Sequence, residues 1–194
     1  MATTLTDVSR MLDTEGVRYH EHDATTLTLV YNTDRYVNPE GEKALLLAIE
    51  LDEGGAYFKL YAPLAYRPDA NLDAFLRACM VVQWETKMIQ FEYDRHDGEV
   101  RPVIEFALED APLTPRQLFR CVNGMLALLE RYHGTLQRAA DEGVVEVEDD
   151  TVDRLADFLS GFSPEVLAEA LTKADQRMRD GAARGAEHDE DEDA

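Results

Sequence analysis

The chain has 194 residues, 45% of them hydrophobic and 30% charged, and its net charge is −21 at pH 7. That length and apolar content predict one domain with a buried core and appendages. The acidity argues against direct nucleic-acid binding, which requires a basic patch, disfavours anionic membranes, and favours basic protein segments as partners. The alternative is that the charge only keeps the protein soluble.

The first part of the chain predicts a helix followed by four strands. Thr6 or Asp7 can cap the helix, which carries Val8, Met11 and Leu12 on one face. A pair of glycines before the fourth strand predicts a hairpin turn. Alternating polarity and β-branched or aromatic side chains place the four strands at 17–22, 26–31, 45–51 and 57–62.

The middle of the chain predicts a helix, a β-hairpin and a long helix. Asp97-Gly98 is a turn sequence typical of hairpins and separates two alternating segments. Thr114-Pro115 begins the long helix, because it combines a capping box with proline at the first helical position, and Gly143 ends it. The predicted bounds are 72–85 for the first helix and 88–93 and 100–108 for the two strands.

These elements follow the order α-β-β-β-β-α-β-β-α, which predicts an α+β fold with helices flanking an antiparallel β-sheet. From residue 141 onward, 18 acidic and 5 basic residues give a net charge of −13; the preceding 22 acidic and 14 basic residues give −8. We therefore predict an α+β domain over 1–140, an acidic helical extension over 141–180, and a disordered acidic tail over 181–194. Within the extension, two helices and an alternating segment that suits an extra edge strand are predicted at 151–160, 163–179 and 144–148.

No catalytic or cofactor-binding motif is readable in the sequence. It has neither a phosphate-binding loop nor a Gly-x-Ser-x-Gly elbow. His20 and His22 share one face of a strand, but no second cluster has ligand spacing, so we predict no metal. Glu92 and Glu105 could face each other across the hairpin, although Arg101 as a salt-bridge partner favours ordinary surface carboxylates over an acid–base pair. We therefore predict that the protein is not an enzyme and has no cofactor.

Two further features favour a cytoplasmic protein. The N-terminus has no basic region followed by an apolar run, and no apolar stretch reaches the roughly 18 residues of a membrane span. Cys79 and Cys121 fall in helical patterns, which is typical of buried thiols. A disulfide between them is the less favoured alternative.

Three segments resemble the YbjN-like family: YFKLYAP at 57–63, VVQWETKMIQFEYD at 81–94 and DGEVRP at 97–102. This family is similar in fold to the class I chaperones of type III secretion, which have a helix-flanked antiparallel sheet and frequently form homodimers. The resemblance covers residues 1–140 and implies that another protein's extended segment binds across the surface, partly by strand addition at an edge. It also implies a dimer interface at the central helix and the following strand, with the candidate residues Trp84, Met88, Gln90 and Phe91.

Aromatic side chains cluster in the same region, and tyrosine suits a protein interface. The candidate partner-binding residues are Tyr57, Lys59, Tyr61 and Tyr93. We predict a non-catalytic, dimeric, chaperone-like scaffold that binds a basic or disordered segment of another protein, with nucleic-acid-binding proteins as one class of partner. The alternatives are a regulatory or sensory adaptor whose C-terminal helices gate the binding surface and, less favoured, an unrecognised enzyme.

Overall fold

A computed structural model describes residues 2–109, 111–146, 161–163, 166–169, 171–173 and 176–177. Contacts divide the chain into two compact units, Met1–Glu148 and Asp149–Ala194. In the second unit, the last three described ranges are helical and fall within the helix predicted at 163–179. The helix predicted at 151–160 and the tail predicted at 181–194 lie outside the described residues. The division into three parts stays a prediction.

The described part of the first unit contains three α-helices and six strands in the predicted order, with one turn of 3-10 helix at Glu53–Gly55 between the third and fourth strands. All neighbouring strands are antiparallel, and the sheet order is β1-β2-β3-β4-β6-β5. The α+β class and the helix-flanked antiparallel sheet are therefore confirmed. The elements are α1 (Leu5–Thr14), β1 (His20–Glu21), β2 (Thr26–Asn32), β3 (Ala44–Asp52), β4 (Tyr57–Tyr61), α2 (Leu72–Glu85), β5 (Gln90–Tyr93), β6 (Val100–Ala107) and α3 (Pro115–Glu142).

The three helices cover one face of the sheet. Ile49 on β3 pairs directly with Leu60 on β4. Directly opposite residues of neighbouring strands lie on the same face of a sheet, and the next residue along each strand lies on the other face. Ile49 and Leu60 are both fully buried in a single apolar cluster that includes residues of α1, α2 and α3. Ala48 and Val103 are also buried, but they lie outside that cluster because alternation turns them to the other face. None of the helices described for residues 2–146 packs on this other side of the sheet, which we call the helix-free face.

A proline inside β6 fits the observed strand order. The Pro102 carbonyl accepts a hydrogen bond of 3.1 Å from the Ala62 N–H, so the backbone of Pro102 faces the β4 side of the sheet. Proline has no N–H to donate to a ladder. The missing donor is tolerated because Pro102 lies just beyond the last paired residue of β4. The hydrogen bonds from β6 to β5 come from the residues on either side of Pro102.

The ends of α3 are confirmed, whereas the predicted start of α1 is wrong. The Thr114 hydroxyl accepts a hydrogen bond from the Gln117 N–H, and the helix ends at Gly143 with a left-handed φ of 72°. The N-cap of α1 is Thr4 rather than Thr6 or Asp7. Its side chain and that of Asp7 bond each other's backbone N–H groups, which satisfies two free donors at once and explains the earlier start.

Three predicted strands differ from those observed. The strand predicted at 17–22 is only two residues long. The Val17 N–H donates to the Leu12 carbonyl, so Val17 belongs to the turn that ends α1. Strand β5 begins two residues late, since Met88 has a left-handed φ of 69° that does not fit a strand. The extra edge strand predicted at 144–148 is not formed by residues 144–146, and its last two residues lie outside the described part of the chain.

Cys79 and Cys121 are free, buried thiols, as predicted. Burial raises the pKa of Cys121 to about 11 and raises that of Cys79 further. Both groups therefore stay protonated near neutral pH, and a protonated, buried thiol is a poor nucleophile. Although α3 has 28 residues, no helix among the described residues is both long and apolar enough to cross a membrane.

The segment before α1 is fixed to the turn between β3 and β4. The Thr3 N–H donates to the Gly55 carbonyl at 3.2 Å, and the Thr3 hydroxyl accepts from the Leu113 N–H at 2.8 Å. Gly55 has a left-handed φ of 92°, and the backbone of Thr3 occupies the position that a Cβ would take. Both observations require glycine at this turn.

We therefore expect Gly55→Ala to lower the free energy of unfolding by about 2–4 kcal/mol, because it adds backbone strain and a collision with Thr3. Gly54→Ala is the matched control: Gly54 also has a positive φ, but a Cβ there meets open space. Its cost should be about 1 kcal/mol. Urea unfolding of the two variants measures the difference, and equal losses would contradict the close approach of Thr3.

Candidate functional site

One row of side chains crosses the helix-free face. The pairing registers place Thr28, Ala48, Tyr61, Val103 and Gln90 side by side on β2, β3, β4, β6 and β5. Tyr61 is at the centre of this row and is half-buried, between two buried neighbours with smaller side chains. It is therefore the largest side chain of the row and is placed to contact a molecule lying across the strands.

A network of charged side chains surrounds Tyr61. The Lys59 Nζ lies 3.1 Å from the Glu92 Oε1 and 3.6 Å from the Glu105 Oε2. Arg101 binds Glu92 at 2.8 Å, as the sequence predicted. The two carboxylates thus share a lysine between them. This arrangement is an ion-pair network and differs from the acid–base pair that an enzyme would need.

Both basic groups also contact the Tyr61 ring. The Arg101 Cζ lies 4.7 Å from the ring centre and the Lys59 Nζ lies 5.8 Å from it, within the range of cation–π attraction. These contacts and the ion pairs hold the aromatic ring and the two cations in a defined arrangement. The surface around Tyr61 is therefore organised before any partner binds.

Burial and the neighbouring charges oppose each other in setting the pKa of Glu92, whereas burial and the nearest carboxylate act together on the pKa of Glu50. Burial alone would raise the pKa of Glu92, but hydrogen bonds from Lys59 and Arg101 outweigh burial and lower it. Burial, and then the nearby Asp52 carboxylate, raise the pKa of Glu50. The network itself is balanced, but within the described part of the face four carboxylates outnumber two basic groups, so the face carries a negative surplus. The carboxylates are Glu50, Asp52, Glu92 and Glu105, and the basic groups are Lys59 and Arg101.

An apolar pair lies on the same face. Val30 on β2 pairs directly with Leu46 on β3, and the two are 67% and 36% exposed. Exposed apolar side chains next to an organised polar row are typical of protein-binding surfaces. The candidate residues taken from the sequence did not include this pair. The alternation of β3 was the available signal, because it turns Leu46 to the face opposite Leu45 and Leu47.

The partner-binding candidates do not share one face. Tyr57, Lys59 and Tyr61 all lie on the helix-free face of β4. Tyr93 pairs with Val100, which belongs to the apolar cluster under the helices, so Tyr93 lies on the other face at the sheet edge. Alternation within one strand cannot reveal this difference, because the face of β5 depends on its register with β6.

The dimer candidates lie around the end of α2 and the edge strand. Trp84 is 90% exposed near the end of α2, and Met88 is 53% exposed just after the helix. Met80, one helical turn before Trp84, is 60% exposed and was not among the candidates. Met80 is four residues from Trp84, so both lie on the face of α2 opposite its buried residues. This spacing could have identified Met80 from the sequence. We call Met80, Trp84 and Met88 the exposed apolar patch.

Within the described residues, β5 is an edge strand that pairs with β6 on one side and with no strand on the other. Gln90 and Glu92 pair with the β6 residues whose backbone faces β5, so the N–H and C=O groups of Phe91 and Tyr93 point away from the sheet. The Gln90 amide donates to Glu105 on the helix-free face at 2.9 Å, and the Phe91 side chain packs half-buried against the core. An edge of this kind can pair with a strand from another chain.

The two histidines considered as metal ligands are exposed on and beside β1. Within the residues that the structure describes, no group of three or more His, Cys, Asp or Glu side chains is arranged to hold a metal ion. His20 pairs with Thr28 and thus lies at the border of the helix-free face. Nothing in this geometry gives it a chemical role.

The six-stranded antiparallel sheet, covered on one face by helices, is similar in fold to the solved structure of YbjN. The crystal structure of YbjN from E. coli, a proposed transcription regulator, is similar over 73% of this chain and 95% of that chain, with 16% identity and a TM-score of 0.51. The HopA1–SchA chaperone–effector complex is similar over 68% of this chain and 88% of that chain, with 18% identity and a TM-score of 0.42. No family profile and no curated protein matches the chain. The resemblance noted from the sequence is therefore confirmed for the fold.

The ion-pair network makes a prediction about Glu92. Replacing Lys59 with methionine keeps the apolar stem but removes the charge, so the pKa of Glu92 should rise in Lys59→Met. At neutral pH the variant should lose about 1 kcal/mol of stability, a small value because Glu92 is more than a third exposed. Carboxyl-carbon NMR measures the titration, and Lys43→Met, at an exposed position before β3, is the control.

The pH dependence of this effect is fixed in sign. The folded-state pKa of Glu92 lies below its ordinary value of 4.5, so its stabilisation is present above pH 4.5 and is lost as the pH falls through the folded-state pKa. The stability difference between the wild type and Lys59→Met should therefore shrink in acid. A difference that stays constant down to the acid limit would contradict the ion pair.

Proposed function

We propose that this protein is a non-catalytic, dimeric, chaperone-like scaffold that holds a segment of another protein on the helix-free face. The observation that carries the proposal is the organised row around Tyr61, next to the exposed pair Val30 and Leu46. These residues combine an aromatic anchor, apolar contacts and fixed charges without a reactive group. Such a combination recognises a protein surface rather than converting a substrate.

The charge of the face supports a basic partner segment. Four carboxylates and two basic groups leave a negative surplus around Tyr61. Lysine and arginine side chains of a partner could bind Glu50 and Glu105, while their apolar stems pack on Tyr57 and Tyr61. The net charge of −21 would also steer a basic segment toward the protein. Nucleic-acid-binding proteins are one class that contains such segments.

The exposed apolar patch and the edge strand support a homodimer. A tryptophan that is 90% exposed is unusual on a soluble surface, and Met80, one helical turn before it, and Met88, just after the helix, are exposed as well. A two-fold axis would bring the same patch of both subunits together. It would also align the two β5 strands antiparallel, so that the free backbone groups of Phe91 and Tyr93 pair across the axis.

The dimer can be tested with Trp84, which is the only tryptophan of the chain. We expect its fluorescence to shift to the blue as concentration rises, because the indole leaves water on dimerisation. Light scattering should then give twice the chain mass of 21.9 kDa. Trp84→Glu should restore the monomer mass, while Arg77→Glu, at another exposed position of α2, should not. A single chain mass and an unshifted emission at every concentration would rule out the dimer.

Partner binding can be tested by affinity capture with variants of the two faces. We expect the tagged protein to recover one reproducible partner in stoichiometric amount from its native lysate. Val30→Lys, at an exposed position of the helix-free face, should lower recovery about tenfold or more, since it removes an apolar contact and places a positive charge against a basic segment. Ala127→Lys, at an exposed position of α3, should leave recovery unchanged. Equal recovery by wild type and Val30→Lys, or no partner at all, would contradict the proposal.

A further inference from the structure

A hollow of about 660 Å³ lies away from both proposed surfaces. Its walls come from the loop between β2 and β3 (residues 37–41), the segment before α2 (residues 65–70) and the C-terminal part of α3. None of the residues assigned above to the helix-free row, the exposed apolar patch or β5 lines it. Its volume lies within the range typical of small-molecule sites.

Hydrogen bonds fix the loop that forms one wall. The Glu130 carboxylate on α3 accepts from the Asp34 N–H at 2.8 Å and from the Arg35 N–H at 2.7 Å. One helical turn further along, the His133 Nε2 accepts from the Val37 N–H at 3.3 Å. The loop is therefore bound to α3 just before it borders the hollow, so this wall is formed in advance of any ligand.

The base of the hollow is aromatic. The ring of Tyr66 lies 5.1 Å from that of Phe75 and 6.2 Å from that of His133, measured between ring centres. Tyr36 supports the group from behind, at 5.2 Å from the His133 ring. This packing buries the rings almost completely and makes the base rigid, while the apolar lining accessible to a ligand comes from Val37, Pro39 and Ala140.

Two polar atoms of this base have no partner among the described residues. Because the His133 Nε2 accepts a hydrogen bond, the neutral ring carries its proton on Nδ1, and burial lowers the pKa of His133 and keeps the ring neutral. That Nδ1 and the Tyr66 hydroxyl are buried without a hydrogen-bond partner, and the two residues are only 8% and 5% exposed. Unpaired buried polar atoms cost free energy, which a ligand oxygen within reach would recover.

The rim of the hollow favours a positive charge. Asp69 and Asp141 line it, and α3 ends beside it, so the negative end of the helix dipole adds to their field. The one basic residue of the lining, Arg67, is paired with Asp97 at 3.5 Å. An anion would meet two carboxylates and a helix C-terminus, whereas an ammonium group would be attracted by all three.

We propose that this hollow binds a small hydroxylated arylalkylamine. The aromatic body packs on the accessible apolar lining, the hydroxyl oxygen accepts from the His133 Nδ1–H, and the ammonium group lies near Asp69 and Asp141. A molecule of this class satisfies the apolar lining, the unpaired donor and the acidic rim together. The site is independent of partner binding on the helix-free face.

Three probes that differ only in charge test the proposal on the full chain. Tyramine is the cation, 4-ethylphenol is neutral and 3-(4-hydroxyphenyl)propionate is the anion. We expect tyramine to shift the NMR signals of the Val37 amide and the His133 ring in a saturable way, with a Kd on the order of 1 mM or tighter. The neutral probe should bind about fivefold more weakly, and the anion should not bind.

A matched pair of variants tests the role of the rim. Asp141→Asn should weaken tyramine binding about fivefold and leave 4-ethylphenol unchanged. Glu142→Gln removes an adjacent exposed carboxylate that does not line the hollow, so it should leave tyramine binding unchanged. No saturable shift with tyramine, equal binding of the three probes, or equal effects of the two variants would each overturn the proposal.

Discussion

Burial of one face of the sheet against three helices is the constraint on which the rest of the structure depends. On β3 and β4, Ile49 and Leu60 point into the apolar cluster, so their neighbours Lys59 and Tyr61 must point to the helix-free face. A shift of one residue in register would exchange the two sets and expose the core. The same burial that stabilises the fold therefore places Tyr61 and its ion-pair network on a surface that the helices of this unit leave free.

The order of the last strands separates the two proposed surfaces. Since β6 lies between β4 and β5, its Arg101 and Glu105 reach the network around Tyr61, and β5 is left at the edge with the free backbone groups of Phe91 and Tyr93. The edge strand follows directly from the exposed end of α2. Partner binding and dimerisation can therefore use different parts of one sheet, and a variant in one surface need not disturb the other.

Local signals in the sequence predicted the elements well, because capping boxes, turns and alternation act within a few residues. The order of helices and strands, the hairpin at Asp97-Gly98, and the ends of α3 at Thr114 and Gly143 all followed from such signals. Features that depend on pairing between distant segments could not be predicted. The ion pair of Lys59 with Glu92 joins residues 33 positions apart, and the hollow is assembled from three separate segments. The faces of Tyr93 and Leu46 depend in the same way on register.

The central claim is that a partner protein lies on the helix-free face, and site-specific photo-crosslinking tests it most directly. A photoreactive amino acid is placed at Val30, which is exposed on that face, or at Ala127, which is exposed on α3. We expect position 30 to form a covalent bond with one basic partner in the native cell and position 127 to form none. Crosslinks to the same partner from position 127, with none from position 30, would contradict the central claim.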